Sequence, residues 1–182
     1  DSSSAASDVY KRQVIYAHDQ IKAGTSELVA AGGMESMTNA PYLSPKMRAG
    51  ARVGHQQMYD HMFLDGLEDA YEPGRLMGTY AEDTAELFQF TREQQDEYAI
   101  GSLNNALSAQ KDNAFDKEIS PVTIKTRKGD ITVKDDEQPK NAQPEKIPNL
   151  KPAFKKDGTV TAANSSSISD GAAVLLVSSE ER

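Results

Sequence analysis

Ala30-Ala31-Gly32-Gly33-Met34-Glu35-Ser36-Met37 is the stretch of sequence around which the rest of the chain is arranged. Apolar residues lead into it from Leu28, which predicts a short buried strand over residues 27–31. Two glycines in a row after a strand are typical of a sharp turn, and more weakly of a close approach by another backbone. We therefore expect the strand to end at Gly32 and the chain to turn sharply there.

The flanking sequence predicts further helices and strands. A helix is predicted from Val14, with Ala17 and Ile21 on one face and Gly24 just past its end. The apolar run 172–177 is typical of a second buried strand. Residues 38–78 are rich in Gly and Pro, which predicts loop with a short helix over 57–64. The other predictions are helices at 79–90 and 91–112 (the latter opened by a capping box), a hairpin at 122–133, a loop at 135–149 and a strand at 158–163.

Composition excludes several classes of protein. The 182 residues carry 20 Lys+Arg and 28 Asp+Glu, a net charge of −8. An acidic chain argues against a nucleic-acid partner. The mean hydropathy of −0.63 and the absence of a long apolar run argue against a membrane partner, so a cytoplasmic location is the expectation. There is no cysteine, which excludes disulfides and cysteine-based zinc sites.

Residue spacing alone identifies few candidate sites. His55, His61 and Asp60 match no common ligand pattern, so no metal site is predicted. His18 and Asp19 are neighbours on a helix and are expected to face different directions, which disfavours a catalytic dyad. Eleven acids between residues 60 and 97 are most simply a solvated face. Two features fit either ligand binding or an ordinary solvated surface: serines 165–167 and lysines 151, 155 and 156.

Longer strings, taken together and in order, carry a resemblance to one family. They are AHDQIKAG at 17–24, GGMESM at 32–37, DGLEDA at 65–70, MGT at 77–79, REQQD at 92–96, LKPAF at 150–154, GTVTAANSS at 158–166 and NSSSISDGAA at 164–173. In this combination they resemble the thiolases, enzymes that make or cleave 3-ketoacyl-coenzyme A, and they look similar to the bacterial acetyl-CoA acetyltransferases. The resemblance runs from about Val14 to about Val177.

The resemblance implies a fold and a domain organisation. The fold class is α/β: part of the N-terminal half of a thiolase-like fold, with an inserted α+β loop domain that binds coenzyme A. Residues 14–37 and 165–182 would belong to the α/β core, and residues 38–164 to the loop domain. Residues 1–13 fit neither a core strand nor an amphipathic helix, and are expected to be an unrelated or disordered leader. The chain is thus expected to be an internal fragment. The full-length protein would be a dimer or tetramer, and residues 42–60 would make tetramer contacts.

The resemblance also implies which residues touch substrate. The family attacks with a cysteine, whose register falls on Ser7; the surrounding motif is absent, so no catalytic residue is assigned. No metal and no cofactor is expected, because coenzyme A thioester is the substrate. Leu76 departs from the histidine often found in the family just before the loop-domain methionine. The positions that match substrate contacts are Leu67, Met77, Lys140, Phe154, Ala162 and Ser166, with ordinary core packing as the alternative for Leu67 and Phe154.

The function implied by the resemblance is acyl transfer of the thiolase type. The full-length protein would transfer acetyl groups between acetyl-CoA molecules, or thiolyse 3-ketoacyl-CoA, through a cysteine acyl-enzyme. Because the nucleophile is missing from these residues, this chain alone is expected to be inactive. The alternative is a stand-alone coenzyme A–binding module without catalysis. A purely structural protein that uses the loop domain for assembly has no positive support in the sequence.

Overall fold

The computed structural model describes residues 11–180, and the helices and strands within this range follow in chain order. They are α1 (Arg12–Lys22), β1 (Leu28–Glu35), β2 (Tyr42–Leu43), β3 (Tyr59–Asp60), α2 (Met77–Leu87), α3 (Arg92–Lys111), β4 (Val122–Thr126), β5 (Gly129–Val133), α4 (Glu137–Asn141) and β6 (Gly171–Ser178). The chain forms two compact units. One holds the described residues up to Tyr80 together with those from Ser167 onward, and the other holds Ala81–Ser166. The boundary expected after residue 37 does not coincide with this division.

Helix α1 confirms the first predicted helix. Its least exposed residues are Val14, Ala17 and Ile21, which is the face that the apolar spacing predicts. The helix ends as expected: Gly24 has φ +70° and donates its N–H to the carbonyl of Ile21 at 3.0 Å. The helix begins at Arg12, so it includes the last two residues of the predicted leader. Residues 1–10 of that leader lie outside the described residues.

Strands β1 and β6 pair antiparallel over eight residues, from Leu28 opposite Ser178 to Glu35 opposite Gly171. The predicted turn at the two glycines is wrong, because β1 continues through them to Glu35. A Cβ on Gly32 would clash with the Ala173 carbonyl oxygen and would lie 2.8 Å from the Cα of Val174. The absence of a side chain at Gly32 therefore permits the close approach of β6, and the chain does not turn there.

The side chains of β6 do not form the buried strand that the apolar run predicts. Val174, Leu175 and Leu176 are 68%, 58% and 74% exposed, so both faces of the strand are open. In β1, only Ala31 is buried. The strand itself is confirmed at Gly171–Ser178.

The rest of the first unit is mostly irregular, as predicted. β2 and β3 form a pair of two residues each, and a π-helical segment runs over Met62–Leu67 where a short helix was expected over 57–64. An isolated bridge joins Glu68 to Leu76. No helix in residues 11–180 is long and apolar enough to cross a membrane.

The second unit is built on α3. Thr91 accepts a hydrogen bond from the N–H of Gln94 and donates its own N–H to the Gln94 side chain, which confirms the predicted capping box. Strands β4 and β5 form the predicted hairpin around Arg127 and Lys128. Two predictions are wrong. Residues 135–149 contain α4 and a 3-10 segment at Pro144–Asn149, and residues 158–163 form no strand.

Candidate functional site

A buried carboxylate organises the irregular segment 158–166 in the second unit. Glu82 lies on α2 with only 4% of its surface exposed. Its two oxygens accept the backbone N–H of Thr159 at 3.0 and 2.9 Å, the Thr159 hydroxyl at 3.0 Å and the N–H of Val160 at 2.8 Å. These N–H groups are used by a side chain, which is the physical reason why the predicted strand does not form.

The hydrogen bonds around Glu82 favour its ionised form. Burial raises the pKa of Glu82, but the hydrogen bonds from Thr159 and Val160 lower it more, so the pKa lies below its ordinary value of 4.5. Gly158 permits the contact, because a Cβ there would clash with Oε1 of Glu82. The preceding residue, Asp157, has φ +60° and brings the chain into this tight bend.

A second buried carboxylate holds the other end of the segment. Asp96, on α3, is 5% exposed and accepts from Nε of Arg92 at 2.7 Å and from Nδ2 of Asn164 at 3.1 Å. Arg92 also donates from Nη2 to the carbonyl of Ile147 at 2.9 Å. Arg92 and Asp96 are one helical turn apart and are largely shielded from solvent, so their ion pair provides a rigid anchor for Asn164.

Asn164 connects this anchor to the backbone of the segment. Its Nδ2 donates to the carbonyl of Thr159 at 3.0 Å and its Oδ1 accepts from the N–H of Thr161 at 2.7 Å. Ser165 then donates its hydroxyl to the carbonyl of Thr161 at 2.6 Å. Thr161 is fully buried, whereas Ala162 and Ser166 are exposed. Side chains from two helices therefore fix the buried face of segment 158–166, while Ala162 and Ser166 are exposed to solvent.

A cleft of about 250 Å³ lies beside this segment. Lys155 is its only lysine or arginine, and it pairs with Glu86 at 2.9 Å, an interaction that raises the pKa of Lys155. The open lysine patch predicted from the sequence is thus partly neutralised at Lys155. The lining residues are Glu82, Ala85, Glu86, Gln89, Phe90, Thr91, Lys155, Asp157, Gly158 and Thr159.

The predicted substrate residues of the second unit lie mainly on one stretch of chain. Phe154 is half-buried, and the N–H of its neighbour Ala153 bonds to the carbonyl of Val160 at 2.9 Å, which ties the stretch around Phe154 to segment 158–166. Ala162 and Ser166 lie on that segment itself. Lys140 lies apart from them in sequence, exposed in the last turn of α4. The structure brings the first three onto connected backbone and does not tie Lys140 to them.

Leu67 and Met77 belong to the first unit. Leu67 is half-buried at the end of the π-helical segment, and Met77 is 36% exposed at the start of α2. The bridge between Glu68 and Leu76 places their immediate neighbours side by side. The two predicted positions therefore flank one pair of bridged residues, and their contact with substrate stays a prediction.

Sequence reasoning missed the residues that organise segment 158–166. Glu82 and Asp96 were included in a solvated acidic face, which is wrong for both. A signal was present: Glu82 lies one turn before buried Ala85, and Asp96 lies on the helix stripe of Ala99 and Leu103. An acid on the apolar face of a helix predicts a buried hydrogen-bonding partner.

The histidines provide one further correction. His18 and Asp19 do not face apart, since Nδ1 of His18 lies 3.1 Å from Oδ1 of Asp19, although both side chains are more than half exposed. His61 lies 3.6 Å from Asp65. Within the range 11–180, no cluster of three His, Asp or Glu side chains could hold a metal ion.

Comparison with known proteins identifies the family. The model of the thiolase N-terminal domain matches residues 3–181, a range that begins inside the predicted leader. The chain is 44% identical to a probable acetyl-CoA acyltransferase of Staphylococcus aureus, over 94% of this chain and 44% of that protein. It therefore spans less than half the length of this relative.

Solved structures agree with this match. An acetyl-CoA acetyltransferase from Syntrophomonas wolfei superimposes with a TM-score of 0.84 at 41% identity, over 94% of this chain and 43% of that one. A thiolase from Ascaris suum, solved in complex with coenzyme A, superimposes with a TM-score of 0.82 at 42% identity, over 93% and 43%. Sequence strings, family match and fold agree, and the chain belongs to the thiolase family.

Proposed function

We propose that this chain serves a thiolase-type acyltransferase, which transfers acetyl groups between acetyl-CoA molecules or thiolyses 3-ketoacyl-CoA. The contribution proposed for these residues is to bind the coenzyme A thioester. The observation that supports it best is the fixed segment 158–166, whose exposed face carries Ala162 and Ser166. The similarity to a thiolase that was solved with coenzyme A supports the same ligand.

The acyl-enzyme step needs a nucleophile that these residues do not contain. Thiolase chemistry uses a thiolate, and the 182 residues include no cysteine. A serine without an adjacent base is a poor nucleophile at neutral pH. We therefore expect this chain by itself to bind coenzyme A and to show no thiolysis of acetoacetyl-CoA. A module that only binds coenzyme A is the second candidate, favoured by the same missing cysteine.

Isothermal titration calorimetry with coenzyme A tests the binding proposal. Saturable one-to-one binding that weakens in Phe154→Ala is the expected result, because Phe154 is the largest apolar side chain among the proposed contacts. Phe115→Ala is the matched control, since Phe115 is 52% exposed in the same unit and lies outside segment 150–166. Failure of the parent chain to bind at millimolar coenzyme A would overturn the proposal, and turnover by the purified chain would overturn its second part.

We also propose that the full-length protein assembles into a dimer or tetramer, with residues 42–60 making tetramer contacts. The exposed apolar residues of β6 support association, because open apolar surface favours burial against another chain. Analytical ultracentrifugation checks this, and a monomer at all concentrations would contradict it. A cytoplasmic location and a role in fatty acid metabolism stay predictions.

A further inference from the structure

We infer that Glu82, together with the Asp96–Asn164 pair, is a positioning element for coenzyme A: it does not touch the ligand but holds the backbone that does. The inference rests on the proposed function, since it concerns the same segment. It assigns a role to Glu82 and Asp96, which the sequence placed on a solvated acidic face, and to Asn164, to which the sequence assigned no role.

Three hydrogen-bond donors meet at Glu82. Two backbone N–H groups and one hydroxyl, all from Thr159 and Val160, point at one carboxylate. These donors lie 77 and 78 residues away in the sequence, so the contact is a tertiary one and not a local cap. A carboxylate at this point satisfies the donors without using the segment's own carbonyl groups.

Segment 158–166 has one face that is held by buried side chains and one face that is exposed. Val160 and Thr161 are buried, and the amide of Asn164 joins Asp96 to the carbonyl of Thr159 and to the N–H of Thr161. Ala162 and Ser166 lie in the same segment and are exposed. A ligand on the exposed face would thus contact a backbone whose conformation is already fixed by Glu82, Asp96 and Asn164.

Fixing the segment before a ligand binds has an energetic consequence. A flexible segment must lose conformational freedom when it binds a ligand, and this cost reduces affinity. A segment that is already held by buried charged groups avoids most of that cost. Loss of Glu82 should therefore weaken coenzyme A binding even where the rest of the unit stays folded.

Glu82→Gln tests the inference with a minimal change of shape. Glutamine offers one acceptor oxygen in place of two and turns its NH₂ group toward the N–H donors of Thr159 and Val160. We expect the coenzyme A dissociation constant to rise by about tenfold, the size expected for a lost charged hydrogen bond. Glu97→Gln makes the same chemical change at an exposed position on α3 and is expected to leave the constant within about twofold.

Two further measurements separate positioning from simple unfolding. Amide hydrogen exchange should show faster exchange at Thr159, Val160 and Thr161 in Glu82→Gln, with the protection of α3 unchanged. Asn164→Ala removes the second attachment and leaves Glu82 in place, so it carries the test if Glu82→Gln does not fold. We expect it also to weaken binding.

The outcomes distinguish this inference from the proposed function. If the parent chain binds coenzyme A and a folded Glu82→Gln binds equally well, the positioning role is overturned while the proposed function stands. If the parent chain does not bind, the proposed function fails and this inference fails with it. Weaker binding by Glu82→Gln, faster exchange confined to the segment and an unaffected Glu97→Gln would support the inference.

Discussion

The pair β1–β6 and the segment 158–166 are held by opposite means. In β1–β6, the backbone groups of two strands bond to each other over eight residues, and the apolar side chains of β6 are largely exposed. In segment 158–166, the backbone forms no ladder and bonds to side chains of Glu82 and Asn164. One region depends on backbone pairing and the other on buried polar side chains.

This difference decides how each region responds to change. A ladder tolerates many side chains but is sensitive to anything that separates the two backbones. A segment held by a buried carboxylate is sensitive to the loss of that one group, because its donors would remain buried and unpaired. We therefore expect mutations in segment 158–166 to cost more stability than mutations in β1–β6.

Glu82→Ala is expected to have the largest effect. It leaves two N–H groups and a hydroxyl without their acceptor in a buried site, at a cost of about 4 kcal/mol in the free energy of unfolding. Urea unfolding followed by circular dichroism measures the loss. Glu97→Ala, at an exposed position, is the control. An effect of Glu82→Ala no larger than that of the control would remove the contrast between the two regions.

Gly32→Ala tests the backbone contact of β1–β6. The new Cβ would meet the Ala173 carbonyl and the Val174 Cα, so the strands must separate, at a cost of about 2 kcal/mol. Gly171→Ala is the matched control in the same pair, since a Cβ there has open space within 4 Å. Faster amide exchange along β1 in Gly32→Ala alone is the expected result. Equal amide exchange along β1 in the two variants would contradict the close approach of β6 to Gly32.

Thr91→Ala sharpens the comparison with a purely local contact. The capping box of α3 joins residues three apart, and its loss should cost about 1 kcal/mol. The free energy of unfolding measures the change, and amide exchange at Gln94 locates it at the first turn. We expect segment 158–166 to keep its protection. Loss of that protection would show that the capping box and the hydrogen bonds of Glu82 are coupled.

The dependence of stability on pH has the smallest expected effect. The pKa of Glu82 is lower in the folded protein than its ordinary value of 4.5, so its stabilising contribution is fully present above that value. The contribution is lost as the pH falls below 4.5 and through the folded pKa. Thermal unfolding across this range should show a steeper decline for the parent than for Glu82→Gln. Parallel curves would contradict an ionised, hydrogen-bonded Glu82.

Prediction from sequence succeeded where the cause is local. The face of α1, the capping box at Thr91 and the hairpin of β4 and β5 all depend on residues within a few positions of each other. It failed at the two glycines, because the same Gly-Gly permits a turn or a close approach and only the position of β6 decides between them. The candidate site was predicted in part: Ala162 and Ser166 lie on a segment with a free face, and their contact with coenzyme A stays a prediction.

Caps, helical periodicity and composition along the chain were enough to predict α1, the capping box of α3, the hairpin of β4 and β5, and the absence of a thiolate from these residues. The longer strings of the sequence also identified the thiolase family. The close approach of another backbone to Gly32 and the burial of Glu82 and Asp96 follow from the three-dimensional fold alone. Val160 lies 78 residues from Glu82, Asn164 lies 68 residues from Asp96, and Val174 lies 142 residues from Gly32. A charged side chain becomes a structural anchor only when folding brings buried donors to it.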